Sequence, residues 1–163
     1  MPASVLTGEG VLLRPITPDD AAPIGAILEE PEVARWWRRG EWERVAEERA
    51  TTFAIVLDGR VVGCIQYTEE TDPDYRSAAV DVFVAGRVQG RGVGSDAMRT
   101  LMRHLTEERE HHRLTVDPAL ANERAIHVYE KLGFCRVGVM RRYECGDDGV
   151  WRDALLMELV VEP

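Results

Sequence analysis

One short segment constrains this chain more than any other. Gln89-Gly90-Arg91-Gly92-Val93-Gly94 falls between an apolar run, Ala78 to Ala85, and a stretch in which Val93, Ala97, Met98, Leu101, Met102 and Leu105 recur with helical period. A glycine-rich turn that leaves a strand and opens a helix lets backbone N–H groups approach a ligand closely. It does so at the helix end where the donors are unpaired and the dipole is positive, which is the recipe for binding a phosphate. Arg87 and Arg91 add local cations. Neither common nucleotide fingerprint fits: no Gly-Lys-Ser/Thr follows, and the glycine spacing and mid-chain strand do not suit a dinucleotide fold. The plain alternative is an ordinary glycine-rich turn.

The rest of the chain predicts elements that surround this turn. Val11 to Ile16 reads as a first strand, closed by Pro15 and the Thr17-Pro18-Asp19-Asp20 cluster. Thr17 caps a helix there, Pro18 suits its first turn, and Ile24, Ile27 and Leu28 share its apolar face until Pro31 stops it. A second helical segment carries Val33, Trp36 and Trp37, and a third runs from about Trp42 to Ala50. Thr52 to Leu57 and Arg60 to Thr68 form a hairpin across Asp58-Gly59, a pair suited to the positive φ angles of a tight turn. Glu69 to Arg76 is a polar loop, and Arg113 to Val116 is a short strand. Asn122 opens a helix that Gly133 ends. Strands from Arg136 to Glu144 and Val150 to Val160 close the chain around a Gly146 to Gly149 turn. The expected class is α/β (α+β), one domain spanning residues 1–163.

Composition narrows the partners. Lys plus Arg is 20 and Asp plus Glu is 29, for a net charge of −9. Such a chain is a poor binder of nucleic acid and suits a cationic partner such as an amine, although acidity also simply keeps a protein soluble. Cys64, Cys135 and Cys145 are odd in number and include no CxxC pair, which argues against a disulfide framework or a zinc ribbon and for a cytoplasmic protein. His104, His111, His112 and His127 lack metal-ligand spacing, so no metal is expected. No signal-peptide pattern and no apolar run near the roughly 18 residues of a membrane span stand out, so no membrane partner is expected.

Two motifs together carry a resemblance. Gln89 to Gly94 looks like the acyl-CoA pyrophosphate loop of the GNAT superfamily of N-acetyltransferases, Arg/Gln-x-x-Gly-x-Gly/Ala. Asn122 to Phe134 resembles the family's second hallmark, Asn-x-x-Ala-x-x-x-Tyr-x-x-x-Gly-Phe. The resemblance implies a central, mixed, mostly antiparallel sheet of about six to seven strands with helices on both faces. It implies acetyl-CoA as co-substrate, held by Phe83, Val84, Gln89, Gly90, Arg91, Gly92, Val93, Gly94, Ser95, Asn122, Ala125, Tyr129 and Lys131. Trp36-Trp37, Gln66, Glu70 to Pro73, Asp81 and Asp117-Pro118 look more narrowly like the aminoglycoside 6'-N-acetyltransferases. That implies acetyl transfer to a 6'-amine and aminoglycoside resistance. The alternatives are transfer to protein N-termini, polyamines or another small amine, or a non-catalytic acyl-CoA sensor; either a monomer or a homodimer is compatible.

Asp81 is the one charge in an apolar strand, on the face of Ala79 and Phe83. A carboxylate there wants a reason, because burying it unpaired is costly. The functional reading is that it binds the reactive ammonium and takes its proton; the structural one is that it bonds to a loop. Tyr129 occupies the position of the family tyrosine, and the resemblance implies that it stabilises the departing thiolate; on its helix it also falls on the apolar face. Trp36, Trp37, Tyr67, Glu70, Asp72, Asp117 and Asp153, with Gln66, are candidate acceptor-lining residues, since aromatic faces and carboxylates suit a polycationic sugar.

Overall fold

The computed structural model describes residues 4–38 and 49–162. The helix expected from Trp42 therefore lies outside the described residues up to position 48, and Arg49–Thr51 is a 3-10 turn. The strands are β1 Leu6–Thr7, β2 Leu12–Pro15, β3 Thr52–Leu57, β4 Arg60–Glu70, β5 Ser77–Val84, β6 Arg113–Val116, β7 Cys135–Cys145 and β8 Trp151–Val160. They form one sheet in the order β1-β2-β3-β4-β5-β6-β8-β7. The β5–β6 pair is parallel, whereas β1–β2, β2–β3, β3–β4, β6–β8 and β7–β8 are antiparallel. The sheet is mixed and mostly antiparallel as expected, but it has eight strands among the described residues. Leu6–Thr7, pairing with Leu12 and Leu13, is too short to leave a period in the sequence. The helices are α1 Ala21–Glu29, α2 Pro31–Ala34, α3 Val93–Arg103 and α4 Glu123–Lys131.

The chain divides into two compact units, Met1–Tyr67 with Asp81–His104, and Thr68–Val80 with Leu105–Pro163. In the first unit, Leu13, Ile24, Phe53, Ile55, Ile65, Met98 and Leu101 are fully buried. Each such side chain contributes about 1.5–3 kcal/mol by leaving water. The Asp58-Gly59 turn has φ of 49° and 76°, the left-handed pair that the sequence predicts for the β3–β4 hairpin. Arg14 grips Asp20 with two bonds of 2.7 Å, and Asp20 also accepts from the Thr17 N–H at 2.7 Å. The guanidinium holds this buried carboxyl below the usual carboxylate range and ties β2 to the start of α1. Asp96, in the first turn of α3, accepts from the N–H groups of Glu9, Gly10 and Val11 at 3.0, 2.7 and 3.0 Å. It fastens the β1–β2 turn to the helix that follows the glycine loop.

In the second unit, Leu114, Val116, Ile126, Phe134, Leu155 and Met157 form the core. Asn122 caps α4, its side chain accepting from the Ala125 N–H at 3.2 Å, and Gly133 leaves the helix at φ 104°. The imidazole of His111 is buried with Nε2 2.7 Å from Glu69 Oε1, and Arg109 grips the same carboxylate at 2.8 and 2.9 Å. The end strand β7 is exposed along most of its length and breaks register with β8 twice. Bulges and exposed arginines of this kind protect an edge from pairing with other chains.

Candidate active site

The glycine loop is built in the first unit as its sequence predicts, with additions. β5 ends at Val84, a 3-10 turn covers Gly86–Val88, and α3 starts at Val93. Gly90 and Gly92 hold φ of 76° and 79°, the left-handed region that favours glycine. A Cβ at Gly92 would meet nothing within 4 Å, and one at Gly94 only Val84 Cγ1 at 4.0 Å. The loop thus leaves open space over the first turn of α3, where backbone N–H groups have no intrahelical partner. That space and those donors fit a pyrophosphate. Arg87 and Arg91 are exposed beside it. The Gln89 side chain donates to the Val84 carbonyl at 3.1 Å, so it braces the loop against β5. Val93 is buried, while Gly94 and Ser95 are half-buried.

Two bracing residues carry no mark of their role in the motif. Glu30, just beyond α1, accepts from the Gly86 N–H at 2.6 Å across 56 residues of sequence. Gly63 of β4 lies so close to β5 that an added Cβ would overlap the Phe83 carbonyl and stand 3.0 Å from Val84 Cα. The Ala85 N–H also donates to the Val62 carbonyl at 2.7 Å. Glycine inside a strand pattern is the signal that a second backbone passes close by, so Gly63 was findable from sequence. Glu30 was not.

Asp81 is half-buried on β5, and it has partners, so the argument from a buried unpaired carboxylate loses its force. Its charge, with that of Asp20, adds to the burial that pushes the Cys64 thiol up to about 12. Cys64 therefore carries almost no thiolate at neutral pH and makes a poor covalent acyl carrier. Phe83 is buried and meets Trp37 edge to face, with ring centroids 4.8 Å apart. Trp36 is half-buried with the Arg35 guanidinium 4.9 Å from its ring centre. Gln66 is buried, and its Oε1 has no hydrogen-bond partner among the described residues. Tyr67 is buried on the opposite face of β4, between Phe53 at 6.5 Å and His104 at 6.4 Å. It packs in the core beside the sheet, away from Gln66.

The second unit holds the other singled-out residues. Tyr129 is buried on α4 with its ring 5.9 Å from Phe134, and Ala125 is half-buried. Lys131 is exposed in the last turn. Glu70 accepts from the Asp72 N–H at 2.9 Å, and Asp72 accepts from the Asp74 N–H at 3.0 Å. Both carboxylates thus shape their own loop. Asp117 accepts from the Tyr143 hydroxyl at 2.7 Å, and burial raises its carboxyl above the usual range. Asp153 accepts from the Arg142 N–H at 2.8 Å.

A sheet of this topology with a glycine loop feeding α3 defines a class of acyl-CoA-dependent transferases, and comparison with known proteins agrees. The model of the acetyltransferase (GNAT) family matches residues 19–134, and the chain belongs to that family. It is 30% identical to aminoglycoside N(6')-acetyltransferase type 1 of Klebsiella pneumoniae, over 82% of this chain and 78% of that protein. It is 24% identical to the spermidine N(1)-acetyltransferase of Escherichia coli, over 93% and 86%. Its fold overlays that of Mycobacterium smegmatis RimJ in complex with CoA-disulfide at a TM-score of 0.81 and 27% identity, over 96% of this chain and 86% of that one. The chain is an N-acetyltransferase of a family that uses acyl-CoA. No described helix is long and apolar enough to cross a membrane.

Proposed function

We propose that this enzyme transfers acetyl from acetyl-CoA directly to the 6'-amine of an aminoglycoside, and so confers resistance to it. The observation that carries the acceptor is the 30% identity to an aminoglycoside N(6')-acetyltransferase over 82% of the chain. The acidic balance of −9 supports a polycationic acceptor. A Cys64 thiol pushed up to about 12 supports direct transfer over an acyl-cysteine intermediate.

In this reading Gln89–Gly94 and Ser95 hold the pyrophosphate, chiefly through the N–H groups at the start of α3, since those of Gln89 and Arg91 donate to the Gly86 and Val88 carbonyls at 3.2 and 3.4 Å, with Asn122, Ala125 and Lys131 as further contacts on α4. A backbone N–H near Phe83 or Val84 donates to the thioester carbonyl, where donors are worth roughly 3 kcal/mol as the oxyanion forms. Asp81 binds the acceptor ammonium and takes its proton. The amine nitrogen then attacks the carbonyl carbon, the C–S bond breaks, the thiolate leaves, and the second proton shed by the nitrogen passes to water. Tyr129 donates a hydrogen bond to that thiolate. Full protonation by Tyr129 is uphill by about 2 kcal/mol from the reference values of a phenol and a thiol, so the stabilisation precedes any proton transfer. Trp36, Trp37 and Gln66, with Glu70, Asp72 and Asp117, line the acceptor.

The test is a panel of kanamycin, spermidine and a ribosomal N-terminal peptide, each with acetyl-CoA, with CoA release measured and the product position read by NMR. Acetylation of kanamycin at the 6'-amine, with the highest kcat/KM of the panel, is expected. Preference for spermidine or the peptide would refute the acceptor while leaving the family intact.

A further inference from the structure

Strand β7 does not run straight beside β8. Met140 lies opposite Ala154 and Glu144 opposite Arg152, so four steps along β7 match two along β8 and two extra residues bulge out. Inside the bulge Arg142 sits at φ 50°, in the left-handed region that L residues other than asparagine and aspartate seldom adopt. Asp153 holds it there: its Oδ1 accepts from the Arg142 N–H at 2.8 Å. The Asp153 carbonyl accepts from the Leu120 N–H at 3.0 Å, and the Leu155 N–H donates to the Pro118 carbonyl at 2.9 Å. The segment after β6 and the bulge of β7 are thus fastened to the same short stretch of β8. The residue after Arg142 is Tyr143, and its hydroxyl stands 2.7 Å from Asp117 Oδ2. Register, left-handed residue and two carboxylates therefore form one chain of contacts that ends on Asp117.

We infer that Asp153 and Tyr143 are positioning residues for the acceptor: Asp153 holds the bulge, the bulge delivers the Tyr143 hydroxyl, and the hydroxyl aims the Asp117 carboxylate at a cationic amine. The inference rests on the reading above that Asp117 lines the acceptor. It reassigns Asp153 from an acceptor contact to a group that acts on the backbone. It also gives the bulge a purpose that edge protection alone does not, because a straight β7 would not bring Tyr143 to this place in the register.

Steady-state kinetics with kanamycin and acetyl-CoA test it on Asp117→Asn, Tyr143→Phe, the double variant, Asp153→Ala and Asp153→Asn. Tyr143→Phe should raise the kanamycin KM about fivefold, the loss of one hydrogen bond to a charged group, with kcat and the acetyl-CoA KM near wild type. On the Asp117→Asn background the same change should add nothing, since the hydroxyl acts through that carboxylate. Asp153→Ala should reproduce the rise, and Asp153→Asn should recover most of it, because an amide oxygen still accepts from the Arg142 N–H. A Tyr143→Phe enzyme with unchanged kanamycin KM, beside an Asp117→Asn enzyme with a raised one, overturns the inference and leaves Asp117 in the acceptor site. Additive effects of the two changes overturn it as well, by making Tyr143 a mere packing residue. An Asp117→Asn enzyme equal to wild type, or a wild type that does not turn kanamycin over, removes the underlying reading and the inference with it.

Discussion

The glycine loop of the first unit and the carboxylates of the second are built by opposite means, and the proposed function gives each a charge to recognise. In the proposed acetyl-CoA site the groups offered to the ligand are the backbone N–H donors at the start of α3, and the side chains act as braces: Gln89 onto the Val84 carbonyl, Glu30 onto the Gly86 N–H. In the second unit the acceptor groups proposed here are carboxylates, and the carboxylates there have tasks within the protein. Glu70 and Asp72 close turns of their own loop, Asp153 holds Arg142, and Asp117 meets Tyr143. A backbone site tolerates wide change in side chains but depends on glycine conformation. A side-chain site is adjustable one residue at a time, which suits the part of an enzyme that selects its acceptor.

The largest effect expected in either region is chemical. Tyr129→Phe should lower kcat by on the order of 10- to 1000-fold while the acceptor KM changes little, because in the proposed mechanism the hydroxyl acts mainly as the thiolate forms. Wild-type turnover in this variant would demote Tyr129 to a partner of Phe134 in the core. The next tests the backbone site. Gly92→Asp puts a carboxylate into open space at φ 79°, beside the unpaired N–H groups. Acetyl-CoA affinity measured by calorimetry should fall about tenfold or more, equivalent to roughly 1.4 kcal/mol. Gly92→Ala bears only the left-handed backbone penalty of about 1 kcal/mol, read in thermal unfolding. An equal loss of affinity in the two variants would mean that conformation, and not charge, governs the loop.

On activity, a smaller effect is expected from Gly63→Ala. The new methyl overlaps the Phe83 carbonyl, so β5 must shift, at a stability cost of about 1–3 kcal/mol and with lowered kcat. A variant that melts and turns over as wild type does would show that β5 has slack there. The smallest effect belongs to Asp72→Asn. The amide oxygen still accepts from the Asp74 N–H, and exposed charges interact weakly, so kanamycin KM should change less than about twofold. A larger rise would show that Asp72 holds the acceptor by its charge and not only by its place in the loop.

The same contrast explains what the sequence made legible. The glycine turn, the Asp58-Gly59 hairpin and the Asn122 cap are local: each depends on residues a few positions apart, and each appears as expected. The braces are not local. Asp96 reaches Glu9, Gly10 and Val11 across more than 80 residues, and Glu30 reaches Gly86 across 56. No period or spacing encodes such a bond. Strand alternation placed Asp81 on the face of Phe83, but burial by pattern exaggerated its isolation, since it is half-buried and has partners. Tyr67 illustrates the converse: its place beside Gln66 in sequence puts it on the other face of β4, against Phe53 and His104. The bulge that carries Tyr143 left no sequence signal, because Arg142 is not the glycine that a left-handed position usually advertises.

The division of labour between backbone and carboxylate is tested most directly by Asp81→Asn, with acetyl-CoA affinity and the pH profile of kanamycin turnover measured on one preparation. The substitution keeps the shape and removes the charge to which the proposed mechanism gives the ammonium and its proton. Acetyl-CoA affinity should stay within about twofold of wild type, well below the tenfold step expected at Gly92. Turnover should fall at neutral pH and recover in part as pH rises, where the free amine no longer needs a base. Loss of acetyl-CoA affinity matching that of Gly92→Asp, or full activity on kanamycin at neutral pH, would contradict the account.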